Sequence, residues 1–103
     1  MKYEIRQSLP FEKWFAGLKD AIAKRQILAR LARIENGNLG DYKAFDNIIE
    51  LRIFHGPGYR LYGTIRDGRI LLLLVGGDKA SQKSDIDKAR KILGEIQNED
   101  ETI

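Results

Sequence analysis

Residues 47–75, NIIELRIFHGPGYRLYGTIRDGRILLLLV, decide the fold. Residues 47–54 alternate, with Ile49, Leu51 and Ile53 on one side and Glu50 and Arg52 on the other, the period of a half-buried strand. Gly56-Pro57-Gly58 is a turn. Residues 59–66 alternate again, with Arg60, Tyr62, Thr64 and Arg66 sharing a face. Asp67-Gly68 is the strongest hairpin signal in the chain, because both residues accept positive φ. Residues 70–75 are apolar on both faces, as in a strand covered from both sides. The middle of the chain is therefore a three-stranded meander.

N-terminal to it, residues 2–7 alternate as a short strand with Tyr3 and Ile5 on one side. Ser8 offers a helix cap, and Pro10 sits where a first helical turn tolerates a missing N–H. Phe11, Trp14, Phe15 and Leu18 then recur at the spacing of a packing stripe. Asp20 caps a second helix with the apolar line Ile27, Leu28, Leu31 and Ile34. Its polar side carries Lys24, Arg25, Arg30 and Arg33, either a solvated face or part of a contact with a polyanion. Asn36-Gly37 ends it, and Gly40 keeps the following loop, which contains Lys43, mobile. C-terminal to the meander, Gly76-Gly77 breaks the strand. Ser84 opens a last helix, with Asp87 completing a capping box. Ile86, Ala89, Leu93 and Ile96 form its apolar stripe, and an acidic tail frays from about residue 98. The order β-α-α-β-β-β-α predicts one α+β domain over residues 1–103, a mostly antiparallel four-stranded sheet packed against helices.

The chain has 103 residues and no cysteine, which excludes disulfides, thiolate catalysis and zinc–thiolate sites. The charged N-terminus is unlike a signal peptide, and no apolar run approaches the ~20 residues of a membrane span. A cytoplasmic address away from membranes is the expectation. The net charge of +3 is uneven: residues 1–79 hold fourteen basic and nine acidic side chains, the remainder four and six. A basic body fits a polyanionic partner or simply a solvated surface. Asp41, Asp46 and Asp78 are too scattered to argue for a metal site, and no cofactor is implied.

Register follows from matching apolar faces, pairing Leu51 with Leu61 and Ile53 with Tyr59. Arg52 then stands opposite Arg60. A two-residue turn at Asp67-Gly68 pairs Arg66 with Arg69 and hence Arg60 with Val75, and Lys79 emerges just beyond. Three cations converge on one end of the sheet. Opposed like charges cost ~0.2–1 kcal/mol, so either an anion binds there or a neighbour, Glu50 on the same face, neutralises them.

The strings Glu50-Leu51-Arg52-Ile53, Gly56-Pro57-Gly58-Tyr59-Arg60-Leu61-Tyr62, Leu72-Leu73-Leu74 and Gly76-Gly77-Asp78-Lys79 resemble the HigB-type, addiction-module killer branch of the RelE/ParE toxin superfamily. Residues 36–43, NGNLGDYK, are similar to that branch's loop before the second strand, and the likeness spans nearly the whole chain. It implies a RelE-like fold and the toxin of a type II toxin–antitoxin system. The activity implied is that of an mRNA interferase, an endoribonuclease that usually cuts mRNA on the ribosome and inhibits translation. The implied partner is a helix-turn-helix, HigA-like antitoxin, with DNA reached only through the toxin–antitoxin complex. By the same resemblance Arg60, Arg52 and Lys79 take the places of the family's functional basic residues. The sequence departs from relatives in having neither tyrosine nor histidine between Gln82 and Ile86.

Such cleavage needs attack of a 2′-hydroxyl on the adjacent phosphate, stabilisation of the charge that develops, and a proton for the leaving oxygen. Arg60 and Arg52 suit phosphate clamping. Lys79 suits the same role or, crowded by cations, proton transfer. His55, the lone histidine, is either a general acid or a hydrogen-bonded turn residue. Tyr62 either stacks on a base or packs. Lys43, Arg66 and Lys83 complete the candidate RNA contacts. Two rivals stand beside this reading: a ParE-like toxin that poisons gyrase without cutting RNA, and a non-catalytic nucleic-acid-binding phage or regulatory protein.

Overall fold

The computed structural model describes residues 2–101. Strand β1 (Glu4–Gln7) leads into helices α1 (Leu9–Gly17) and α2 (Ala21–Glu35). Strands β2 (Tyr42–Phe45), β3 (Ile48–Ile53), β4 (Tyr59–Arg66) and β5 (Ile70–Gly77) follow, and α3 (Gln82–Glu101) closes the chain. The architecture is the expected α+β, with helices on a mostly antiparallel sheet. The sheet has five strands rather than four, in the order β1-β5-β4-β3-β2.

The caps of α1 and α2 are those that the sequence announces. Ser8 Oγ accepts from the Phe11 N–H at 3.2 Å, and Asp20 Oδ1 accepts from the Ala23 N–H at 3.0 Å. Asn36 is the C-cap of α2, and Gly37 turns left-handed beyond it at φ 100°. Strand β1 runs parallel to β5, so Tyr3 and Ile5 reach the same core as α1 and α2. The alternation in β3 and β4 then divides two cores. On one side Phe11, Ile27, Leu31 and Ile34 pack against Ile49, Leu51, Ile53, Leu61, Leu71 and Leu73. On the other, Ala89 and Leu93 of α3 pack against Ile48, Tyr62, Leu72, Leu74 and Val75. The two-sided burial expected of residues 70–75 is present, β5 lying between β1 and β4 with a core on either face.

Several expectations are corrected. Residues 42–45 are a strand, not loop: Tyr42, Lys43, Ala44 and Phe45 pair with Leu51, Glu50, Ile49 and Ile48. An exposed edge strand carries little apolar alternation, which is why the pattern misses it. Gly76-Gly77 does not break β5 but continues it. A Cβ at Gly76 would lie 2.2 Å from the Trp14 ring, and one at Gly77 1.8 Å from the Asp85 carboxylate, so these glycines let α1 and α3 press onto the strand. Leu28 is 54% exposed, outside the α2 core line. Helix α3 begins at Gln82, two residues before the expected Ser84. Ser81 precedes it and exchanges hydrogen bonds with Asp78, N–H to Oδ1 at 3.1 Å and Asp78 N–H to Ser81 Oγ at 3.2 Å. The helix continues through residues 98–101, where a frayed tail was expected; the last two residues of that tail lie outside the described residues.

Candidate nucleic-acid interface

The β3–β4 register is the one that the apolar faces dictate. Leu51 pairs with Leu61, Ile53 with Tyr59, and Arg52 stands directly opposite Arg60. The β4–β5 register differs from expectation by two residues at this end. Asp67 and Gly68 adopt φ 54° and 67°, and the Arg69 N–H closes the turn on the Arg66 carbonyl at 3.1 Å. The ladder nevertheless pairs Arg66 with Ile70, and a bulge between Tyr62 and Gly63 adds a further residue. Arg60 therefore faces Gly77, not Val75. Bulges accentuate twist and re-aim side chains, and no pattern of apolar residues announces this one.

Arg60 and Lys79 meet around Gly58. Arg60 Nη1 donates to the Gly58 carbonyl at 2.9 Å, and the Lys79 N–H approaches the Pro57 carbonyl at 3.4 Å. A Cβ at Gly58 would lie 3.3 Å from Arg60 Nη1 and 3.6 Å from the Lys79 Cβ. Gly58 holds φ 78°, a left-handed conformation that glycine adopts without penalty. The turn thus brings the two cations together, and the strand pairing adds Arg52.

Glu50 binds this cluster together. Its side chain is fully buried. Oε1 accepts from Arg52 Nε at 3.1 Å; Oε2 accepts from the Tyr62 hydroxyl at 3.0 Å and from Gln82 Nε2 at 2.8 Å. Oε2 also lies 3.5 Å from Arg60 Nε, a buried nitrogen with no hydrogen bond of its own. Of the two ways to tolerate opposed arginines, neutralisation by Glu50 is the one present. Burial raises the Glu50 pKa, whereas hydrogen bonds from Arg52, Gln82 and Tyr62 and the Arg60 charge lower it; lowering prevails, so the group is a carboxylate. Arg60 is only 7% exposed, whereas the Arg52 side chain is 30% exposed and Lys79 lies open.

The remaining candidates are dispersed. Tyr62 is fully buried under α3, with its phenol pushed up first by burial and then by the Glu50 charge. It has no face to offer a base, so the stacking role is withdrawn. His55 Nε2 lies 3.1 Å from Asp20 Oδ2, which the Tyr59 hydroxyl also approaches at 3.4 Å. That cluster ties the β3–β4 turn to the cap of α2, and among the described residues no hydrogen bond joins His55 to Arg60. Lys43 is exposed on β2, in register with Glu50 and hence on the cationic face. Arg66 shares that face but stands six residues along β4 from Arg60, about 20 Å away at ~3.3 Å per residue. Lys83 is exposed in the first turn of α3, one residue from Gln82.

Arg30 leaves the expected basic row altogether. It is 7% exposed and donates from Nε to the Leu39 carbonyl at 3.0 Å, from Nη1 to the Arg52 carbonyl at 3.2 Å, and from Nη2 to the Asp41 carbonyl. A Cβ at Gly40, which holds φ 71°, would lie 3.0 Å from the Arg30 Cζ. The side chain thus pins residues 39–41 and the site strand to α2. Helical periodicity puts position 30 among the exposed arginines because the sequence does not say that a loop folds over it.

The comparisons with known proteins bear on the family and the fold. No family model matches the chain. An uncharacterized protein of Haemophilus influenzae is 42% identical over 97 residues, spanning 93% of this chain and 98% of that protein. Among solved structures, a double arginine-to-alanine mutant of the Escherichia coli toxin RelE in the free state matches with a TM-score of 0.69. The match covers 88% of this chain and 97% of that one at 17% identity, so the likeness is one of fold.

Proposed function

This chain belongs to one family with the Haemophilus influenzae protein and has the RelE fold, and from that premise we propose that it is the toxin of a type II toxin–antitoxin system, an endoribonuclease of the HigB type that cuts mRNA on the ribosome. One observation carries the reading: Arg52, Arg60 and Lys79 gather at the open end of the sheet, a cationic site on the fold of a toxin. In the reaction a 2′-oxygen forms a bond to the neighbouring phosphorus and the 5′-oxygen leaves, giving a 2′,3′-cyclic phosphate and a 5′-hydroxyl. The 2′-hydroxyl loses a proton and the 5′-oxygen gains one. Arg52 and Lys79 contact the phosphate, and Arg60 adds fixed positive charge behind them, supplying electrostatic stabilisation without a metal. Lys43 and Lys83 flank the same face and hold the RNA backbone. A helix-turn-helix antitoxin is the proposed partner, and the cytoplasm the proposed place of action.

Inducible expression in bacteria, with primer extension on abundant transcripts, tests the assignment. Growth arrest with discrete new 5′ ends for wild type, absent for Lys79→Ala and Arg52→Ala, is the expected result. Arrest with intact transcripts and broken DNA would transfer the protein to the gyrase-poisoning class. Absence of arrest would leave a nucleic-acid-binding module.

A further inference from the structure

We infer that Glu50 is the positioning residue of this cationic site and that, through Gln82, it makes the seating of α3 part of the site's geometry; the inference deepens the ribonuclease reading and rests on it for its catalytic half. Glu50 takes the Nε edge of both arginines, at 3.1 Å for Arg52 and 3.5 Å for Arg60. The terminal nitrogens are left to other partners, and Arg60 Nη1 already holds the Gly58 carbonyl. A carboxylate shared in this way fixes the planes of two guanidinium groups that would otherwise repel and splay. Its remaining hydrogen bonds hold it in turn. Tyr62 fixes it from the sheet, and Gln82, in the first turn of α3, fixes it from the helix.

A carboxylate that only stabilised the fold would have no need of two cations on one face of the sheet, since burying an ion pair gains little over an apolar pair. Here one of the two, Arg52, reaches solvent, so the network ends at a surface. The charge of Glu50 therefore sets the direction of the exposed cation, and Gln82 sets the position of Glu50. Glu50 itself touches no substrate, being sealed beneath the residues it holds.

The test compares wild type, Glu50→Gln, Glu50→Asp, Gln82→Ala, Arg52→Ala and the double variant Glu50→Gln/Arg52→Ala, each checked for a wild-type far-UV spectrum and a cooperative melt. Two readouts are taken. In 15N NMR, the Nε–H signals of Arg52 and Arg60 should be resolved in wild type and averaged in Glu50→Gln. On an RNA substrate, Glu50→Gln should lower kcat at least about tenfold with KM changed by less than about threefold. Glu50→Asp should recover part of that loss. The double variant should be no slower than Arg52→Ala alone, as expected of residues acting through one another. Unchanged Nε–H signals in Glu50→Gln, or full additivity in the double variant, would overturn the inference. A wild-type protein with ordered Nε–H signals that cuts no RNA would overturn the ribonuclease reading and leave the positioning role standing.

Discussion

At the scale of single residues, the charge balance of the site is carried by one carboxylate. With its folded pKa below the ordinary value, Glu50 contributes stability that is complete above its unfolded titration, near pH ~4.3, and is lost as pH falls through the folded pKa. Melting temperature should therefore decline on acidification below about pH 4.5, and Glu50→Gln should flatten that decline while lowering stability at neutral pH. A decline of equal slope in the variant would place the acid sensitivity elsewhere. Removing Arg60 leaves Glu50 buried with Arg52 as its one charged partner, so Arg60→Ala should destabilise in urea unfolding by less than the ~3–5 kcal/mol of an uncompensated buried charge. Lys79 is for that reason the cleaner site at which to remove charge. The sequence makes Arg52, Arg60 and Glu50 legible together, because residues two apart on a strand share a face and apolar matching sets the register. Gln82 is not legible: it comes from a helix whose docking angle no local pattern encodes.

At the scale of elements, small residues govern how closely helices approach the sheet. Gly76→Ala would put a methyl group into the Trp14 ring and should displace α1 from β5, costing ~1–3 kcal/mol as overpacking does. Gly58→Ala imposes a left-handed conformation on a residue with a Cβ and crowds Arg60 and Lys79. It should reduce RNA cleavage more than it lowers melting temperature, whereas proportionate losses would mean that the turn matters only for folding. Arg30→Ala strips a donor from three carbonyls and should cost roughly 3 kcal/mol. It should also raise amide exchange selectively in β2, which Arg30 braces through residues 39 and 41. The elements most legible in the sequence were those with caps and alternation: α1, α2, β3, β4 and β5. The parts missed were the exposed edge strand β2 and the bulge at Leu74 of β5, set by pairing with neighbours and not by their own residues.

At the scale of the whole molecule, a sheet with cores on both faces carries a basic cluster at one end, where Arg52 of β3 and Arg60 of β4 flank their turn and Lys79 stands in the β5–α3 junction. Binding of single-stranded RNA should weaken linearly with the logarithm of salt, and Lys79→Ala should lower the magnitude of that slope by roughly 0.7, one phosphate contact. An unchanged slope would move the RNA path away from this end. Among the described residues no helix is long and apolar enough to cross a membrane. The fold class was readable from the order of the elements and from the resemblance of the strings around Arg60. What the site does with its charge was less so, since a neutralised arginine pair and an anion site look alike until Glu50 is seen between them.

The most direct measurement is cleavage of a defined mRNA on translating ribosomes by purified wild type and Arg52→Ala, with mapping of the product ends. The account predicts discrete cuts carrying 2′,3′-cyclic phosphate and 5′-hydroxyl ends with wild type, and at least a tenfold loss with Arg52→Ala. Intact mRNA with wild type, or equal cleavage by the variant, would contradict it.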